Sequence, residues 1–401
     1  MRVDEALPPL RALNIAPFRD ERGQPGVILR DSSRIAPRPV GLSIPGYFLL
    51  TRFDGRSTCG DAQRAFAEQF GAQVAADDIG RLARTLDEAL MLDNERFARV
   101  YAERREQYAC AAARDNRAHW PDGAALRAGI ERVLQHGAPA DGAGLCAIIA
   151  PHLDYGRGAP CYADAYATLF ALAPAERYVI LGVNHFGRGA AVVATTKDFV
   201  TPLGRAKTDR AFIAALEREL GQPLCGHELD HQAEHSVELQ THILQARLRR
   251  PFEIVPILCP NPVGPTRLGP HDGQGVDLGD FADALGAVTQ RDGRRTVLIS
   301  SSDLSHVGQH FGDEAPTTGA FLEQVRASDR ALLRRVETGA IEAFIDDVAA
   351  TDNRTRICSV GNIYATTRAL GGAGCEILRY HQAVNMEAET HVTCAAGVFR
   401  R

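Results

Sequence analysis

The sequence contains no apolar stretch approaching the roughly 20 residues that a membrane-spanning helix needs. Residues 1–5 also lack the apolar core of a signal peptide, so we expect a cytoplasmic protein. The nine cysteines are scattered singly, without a CxxC pair, so we expect free thiols rather than disulfides. A net charge of −5 provides no general attraction for nucleic acid or for an anionic membrane surface.

The apolar content of 45% is typical of a soluble globular protein, and 401 residues are enough for two domains. We divide the chain into a loosely ordered lead-in (1–25), a small domain (26–98), a charged linker helix (99–114) and a large domain (115–401). Strands and helices alternate throughout the large domain. This pattern predicts an α/β fold in which a mostly parallel or mixed sheet has helices on both faces.

The small domain begins with β-like segments at 27–30, 41–44 and 47–50, followed by two amphipathic helices. Thr58 is a candidate N-cap of the first helix, and Asp77 begins the second. A few short strands and two helices in about 70 residues indicate a winged-helix module.

The Phe-Asp-Gly-Arg-Ser-Thr turn at 53–58 and the Leu-Asp-Glu-Ala-Leu-Met-Leu-Asp run at 86–93 resemble the PqqD-like winged helix. That module accompanies radical-SAM maturation systems, so the resemblance implies docking to such a partner. The alternative is a packing domain with no separate function, because fold does not imply function.

Three apolar segments of the large domain, 145–150, 178–183 and 296–301, are predicted to be buried strands. The polar residues that follow them closely are His152, Asp154, Tyr155, Asn184, His185, Asp303, Ser305 and His306. Functional groups in α/β sheets gather at the carboxyl ends of the strands, so we expect one convergent site.

Imidazole groups are ligands for iron, zinc and copper, and two histidines plus one oxygen ligand suit a non-haem iron or hydrolytic zinc centre. His152 and His185 are therefore candidate ligands, with the third ligand from the group at 303–306. A histidine at a strand end also occurs as ordinary hydrogen-bonded structure, and this is the alternative at each position.

A second histidine-rich segment, 227–242, contains the HExxH pattern His227-Glu-Leu-Asp-His231, which in metallopeptidases lies on a zinc-binding helix. Glycine and proline just upstream prevent a long helix there, and no third ligand is signalled, so we expect a chance match. The helix predicted at 234–249 is more informative. It places His235 at a helix N-terminus as a candidate acid or base, with Ser236 and Glu238 in the first turn.

Five motifs occur in an order that resembles the MEMO family, also called protein B of the AmmeMemoRadiSam system. They are IIAPHLDYGRGAPCYADAYATL, YVILGVNHFGRG, AEHSVELQTHIL, ISSSDLSHVG and ICSVGNIYATT. The resemblance covers about residue 115 to the last residue and implies a fold similar to class III extradiol dioxygenases. In those enzymes two histidines and a glutamate hold Fe(II), and another histidine is the acid/base.

The resemblance implies that His152 and His185 are metal ligands and that His235 is the acid/base. It also places Cys358 near the pocket, as a candidate nucleophile or as a small buried residue. Ser305 lies where the dioxygenases have glutamate, and a neutral serine is a poor ligand. Asp303, Asp154 or His306 could complete the metal shell instead, or the metal could be absent.

The expected cofactor is Fe(II), with zinc or copper as alternatives. The resemblance implies a metal-dependent, dioxygenase-like enzyme that acts with a radical-SAM protein and an AMMECR1-like protein on a peptide or small aromatic substrate. The second hypothesis is a non-catalytic module that binds a peptide or phosphorylated ligand and docks a partner. The third is a zinc metallopeptidase that uses His227, Glu228 and His231.

Overall fold

The computed structural model describes residues 2–19, 22–138, 141–172, 174–189, 191–264, 266–270 and 272–401. The chain forms two compact units, residues 1–110 and residues 111–401. Every helix within the described ranges is too short or too polar to cross a bilayer.

The first unit contains a three-stranded antiparallel sheet in the order β1-β2-β3 and four helices. Its elements are β1 (Asn14–Arg19), β2 (Pro25–Arg30), β3 (Val40–Ser43), α1 (Ile44–Leu50), α2 (Cys59–Phe70), α3 (Ala76–Glu88) and α4 (Glu95–Cys110). The expected cap of α2 is confirmed: Thr58 Oγ1 accepts from Asp61 N at 3.2 Å, and the Asp61 carboxylate accepts from Thr58 N at 2.9 Å. The winged-helix assignment itself stays a prediction.

Two local predictions for this unit were wrong. Residues 14–19, expected to be a loosely ordered lead-in, form β1, which pairs with β2 although most of its residues are exposed and give no apolar alternation. Residues 47–50, expected to be a strand, belong to α1. Ser43 caps this helix by accepting from Gly46 N, and a proline in its first turn suits a helix start.

The second unit is an α/β structure built on an eleven-stranded mixed sheet, counted over the described residues. Its elements are β4 (Ala113–Asp115), α5 (Gly123–Leu134), β5 (Leu145–Ala150), α6 (Ala159–Ala171), β6 (Arg177–Val183), β7 (Val193–Ala194), β8 (Asp198–Thr201), β9 (Gly204–Thr208), α7 (Arg210–Leu220), α8 (Ser236–Arg247), β10 (Glu253–Cys259), α9 (Leu278–Asp292), β11 (Thr296–Ser301), β12 (Asp303–Val307), α10 (Gly319–Glu337), α11 (Ile341–Ala350), α12 (Val360–Ala369), β13 (Cys375–Asn385) and β14 (Thr390–Arg400).

The centre of this sheet is parallel, in the order β5-β11-β6-β10, and β14 lies antiparallel against β5. Successive side chains of a strand point to opposite faces, so each central strand contributes to two cores. Ile149 belongs to a hydrophobic core that includes residues of α7, α9 and α12, whereas the adjacent Ile148 belongs to a core that includes residues of α5, α6 and α8. Helices therefore cover both faces, and the expected fold class is confirmed.

The parallel register aligns the carboxyl ends of the central strands. Ala150 pairs with Ser301, and Ser300 pairs with Leu181. The chain leaves β5, β6 and β11 at the same edge of the sheet, which is where ligand-binding groups of α/β proteins gather.

Candidate metal centre

Three histidine rings lie together where β5 and β6 end and where α8 begins. The ring centroids of His152 and His185 are 5.0 Å apart, and those of His185 and His235 are 5.3 Å apart in a stacked arrangement. The His152 and His235 centroids are 5.7 Å apart. The strand-end pattern thus predicted the convergence of His152 and His185, whereas His235 was expected from its position at a helix start.

His152 is almost completely buried and is held by two hydrogen bonds. Its backbone N–H donates to Asp303 Oδ1 at 3.1 Å, and its ring Nδ1 lies 2.8 Å from the carbonyl oxygen of Ser301. A carbonyl only accepts, so we assign the proton to Nδ1, which leaves Nε2 free for a ligand. Nε2 lies 3.4 Å from Cys358 Sγ and 3.6 Å from Asp303 Oδ2.

His185 and His235 share one buried carboxylate, that of Glu234. This carboxylate accepts backbone N–H groups from His185 at 3.1 Å and from His235 and Ser236 at 2.8 Å each. It also contacts His185 Nδ1 at 3.1 Å. Glu234 therefore holds His185 at Nδ1 and leaves Nε2 for a ligand, as outer carboxylates do at metal sites. We did not assign Glu234 to the site from the sequence, although a carboxylate immediately before a helix-capping histidine was a usable signal.

His235 occupies the N-cap position of α8. The pKa of its ring is lowered to about 4, chiefly by burial and also by the neighbouring His185 and His152, against the opposing charge of Glu234. The imidazole is therefore neutral at neutral pH and able to accept a proton. The sequence led us to expect this neutral form from the helix dipole, but burial is its largest cause.

Cys358 lies just before α12, with its Sγ near His152 and 3.3 Å from Ser359 Oγ. Burial alone would raise the pKa of this thiol, but His152 and His306 hold it well below its ordinary value. Burial alone would also lower the pKa of His152, yet Asp303 and Cys358 raise it to about 9. Cys358 and His152 therefore favour each other's charged forms.

Two groups of side chains have ligand atoms within 4.8 Å of one another, among the residues that the structure describes. The first is His152, His185 and Cys358, and the second is His185, Glu234 and His235. The first group combines two of the expected histidine ligands with a cysteine that we had considered as a nucleophile.

His306, another expected ligand, belongs to neither group. Ser305 Oγ donates to Asp329 Oδ1 at 2.7 Å and to Thr355 Oγ1 at 2.8 Å, inside a separate buried network. His306 Nδ1 lies 3.0 Å from the Leu304 carbonyl and 3.1 Å from the Arg356 carbonyl. Ser305 is therefore fixed within the scaffold around β12. These contacts of His306 involve only Nδ1, so its role as a ligand stays a prediction.

The five residues expected to line the pocket are mostly bonded to the surrounding scaffold. Asp154 is exposed and paired with Arg157, Tyr155 donates to the Leu239 carbonyl, Asn184 donates to Asp230, Ser236 accepts from Val183 N, and Glu238 pairs with Arg114. Ser236 and Asn184 thereby stabilise the backbone around His185. Asp303, in contrast, lies within the site as expected, and burial raises the pKa of its carboxyl.

A family model described as Memo-like protein matches residues 119–398, which is more than half of the chain. The chain belongs to the Memo-like family. This confirms the family that the five motifs indicated.

Relatives from several organisms are similar to this Memo-like chain. It is 33% identical to a MEMO1 family protein of Archaeoglobus fulgidus over 270 residues, which cover 66% of this chain and 89% of the relative. It is 31% identical over 261 residues to one of Methanopyrus kandleri, covering 63% and 83%. The match to a MEMO1 family protein of Thermus thermophilus is 28% identical over 347 residues and covers 86% and 98%. That alignment covers more of the chain than residues 111–401 alone, so it extends into the first unit.

The HExxH residues belong to neither group of potential ligands in the described part of this Memo-like chain. Residues 228–231 form a single 3₁₀ turn, not a helix on which His227 and His231 could share a face. Glu228 accepts from Thr196 N at 2.8 Å, and His231 Nε2 lies 3.1 Å from the Val193 carbonyl. Glu228 and His231 therefore bond to the scaffold, as expected for a chance match.

We predict that acid destabilises this protein through His231. Burial lowers the pKa of His231 to about 3, so below about pH 6.5 the unfolded chain binds a proton that the folded chain does not. This contribution to stability is complete above pH 6.5 and is lost as pH falls towards 3. Between pH 7 and pH 5 the free energy of unfolding should fall by about 2 kcal/mol from this group alone.

Urea unfolding of the wild type and of His231→Gln at pH 7, 6 and 5 measures this contribution. The variant should be less stable at pH 7, because it loses the contact with Val193, but its stability should depend less steeply on pH. Parallel pH dependences for the two proteins would contradict the prediction.

Proposed function

We propose that this Memo-like protein binds one transition-metal ion through His152, His185 and Cys358. The observation that supports the proposal is the grouping of these three ligand atoms within 4.8 Å, at the aligned ends of β5 and β6 and before α12. The two imidazoles are held by outer hydrogen bonds, to the Ser301 carbonyl and the Glu234 carboxylate, that leave one nitrogen of each free.

The donor set favours copper or zinc over the Fe(II) expected from the sequence. Non-haem iron centres use two histidines and a carboxylate, whereas a thiolate with two imidazoles is a softer set that suits Cu(I) or zinc. The lowered pKa of Cys358 supports this choice, because metals bind the thiolate. Asp303, with Oδ2 3.6 Å from His152 Nε2, is a candidate for a further position in the shell.

A bound metal would supply Lewis acidity, and copper would also supply one-electron redox chemistry. The protein's own contribution at this place is a proton acceptor, the neutral His235, whose ring stacks on that of His185. Glu234 fixes both residues by accepting the backbone N–H groups of His185 and His235. We propose His235 as the acid/base of a metal-dependent reaction on a substrate that reaches this half-exposed ring.

The proposed partners and substrate follow from the family resemblance and not from the site. We propose that a radical-SAM protein and an AMMECR1-like protein act with this chain on a peptide or a small aromatic compound. Co-purification of the tagged full chain with each candidate partner tests this part. The metal proposal does not depend on the outcome.

Anaerobic titration of the metal-free protein with Cu(I), Zn(II) and Fe(II), each against a competing chelator, tests the metal proposal. We expect one equivalent to bind, with Cu(I) or Zn(II) held more tightly than Fe(II). A variant with both His152→Ala and His185→Ala should lose this binding, whereas His227→Ala should retain it. Equal retention of each metal by wild type and the double variant would contradict the proposal.

A further inference from the structure

Arg114 lies on the short strand β4, more than 100 positions before the turn that precedes α8, yet it is bonded directly to that turn. Its Nε donates to the carbonyl oxygen of His231 at 2.5 Å, and its Nη2 donates to that of Glu234 at 2.7 Å. The side chain is 1% exposed and its guanidinium lies over the Phe199 ring at 4.6 Å.

The same strand end supplies a second donor to this turn. Asn116 Nδ2 donates to the carbonyl oxygen of Gln232 at 2.9 Å. Three carbonyl groups of the turn, those of residues 231, 232 and 234, thus accept from two side chains in this region. A guanidinium is a rigid planar donor, so these bonds fix the direction as well as the position of the turn.

Arg114 also takes part in a buried ion pair, which has a high desolvation cost. Arg114 and Glu238 form a salt bridge at 2.9 Å between side chains that are 0% and 2% exposed. Arg114 Nη1 and Glu238 Oε1 have no hydrogen-bond partner among the described residues. Burying two charges with unsatisfied polar atoms typically adds less stability than apolar packing would.

We propose that Arg114 is a positioning residue of the metal centre. By holding the backbone of residues 231–234, it fixes the Glu234 carboxylate against His185 Nδ1 and against the N–H groups of His235 and Ser236. The importance of this geometry for metal binding rests on the function proposed above, but the positioning itself can be measured without metal.

Hydrogen exchange of the metal-free full chain tests the positioning directly. We expect Arg114→Met to increase the exchange rates of the amides of His185, His235 and Ser236, which donate to Glu234. Arg177→Met is the matched control. Arg177 is an equally buried arginine, bonded to Asp209 at 2.7 Å, but it begins β6, at the far end of that strand from His185.

The control variant should lose stability without faster exchange at these three amides. Unchanged exchange in Arg114→Met, or an equal increase in both variants, would overturn the proposal. Arg114→Lys is measured alongside. Lysine retains the charge, but its ammonium group lacks the planar set of donors of a guanidinium. The lysine variant should therefore show the same faster exchange, and it keeps the test available if the methionine variant does not fold.

Metal affinity supplies the second measurement. Loss of an outer residue that orients a ligand typically lowers affinity about 10-fold to 100-fold. We expect that loss of affinity for Arg114→Lys and Arg114→Met. The absorption spectrum of Co(II) bound to these two variants should also differ from that of the wild type. Arg177→Met should bind metal with wild-type affinity. If the wild type binds no metal, the proposed function fails, and the exchange measurement alone decides whether Arg114 positions the turn.

Discussion

Replacement of Cys358 by serine should lower the affinity of this protein for Cu(I) or Zn(II) by about 100-fold. Apparent binding free energies of roughly 10–16 kcal/mol are shared among the four ligands of a structural zinc site, so one ligand accounts for about 3 kcal/mol. The serine hydroxyl is isosteric but does not ionise near neutral pH, so the effect reports the thiolate and not a change in packing. Competition titration with a chromogenic chelator measures the change.

Cys225→Ser is the matched control for this prediction. Cys225 is also partly buried, but it belongs to neither group of potential ligands among the described residues, and burial raises the pKa of its thiol to about 12. The control should bind metal as the wild type does. Equal affinity of the Cys358 variant and the wild type would show that Cys358 is not a ligand.

Gly182→Ala should both destabilise the protein and disturb the metal centre. A Cβ at this position of β6 would lie 2.5 Å from Ser236 Oγ and 2.8 Å from Val237 Cγ2. These atoms belong to the first turn of α8, so the added methyl group must push the helix start, and His235 with it, away from the sheet. Overpacking of this kind costs about 1–3 kcal/mol. Urea unfolding measures the loss of stability, and the affinity for metal should fall as well.

Gly129→Ala provides the opposite case. A Cβ at this position within α5 would meet only Arg132 Nη2, at 3.9 Å. Alanine is favoured over glycine inside a helix by about 1 kcal/mol, so this variant should be as stable as the wild type or slightly more stable. If Gly182→Ala also leaves stability and metal affinity unchanged, α8 does not depend on its close approach to β6.

Local sequence patterns predicted those elements whose stability is local. The cap of α2 at Thr58 is an example, because its hydrogen bonds join residues three positions apart. Strand β1 was missed, since its pairing with β2 depends on a partner strand and its exposed side chains show no alternation. The apolar residues 47–50 are compatible with either a buried strand or a helix. Ser43 caps the helix that they form, and this cap favours the helix.

The same distinction applies to the metal centre. His152, His185 and Asp303 were predictable because each directly follows a buried strand, and parallel strands end at one edge of a sheet. The third member of the group with His152 and His185 was not predictable from the sequence. Ser305 and Cys358 both lie near that edge, and only the packing shows which of them faces the histidines. Ser305 turns towards Asp329, and Cys358 turns towards His152.

The sequence by itself determined the fold class, the family and the two histidines, because periodicity and strand-end position are properties of continuous segments. Tertiary structure alone decided that Cys358 completes the group of potential ligands and that Glu234 orients two histidines. It also decided that Arg114 holds the turn before α8. Each of these contacts joins side chains from different elements, and their directions depend on how helices pack against the sheet, which spacing along the chain does not specify.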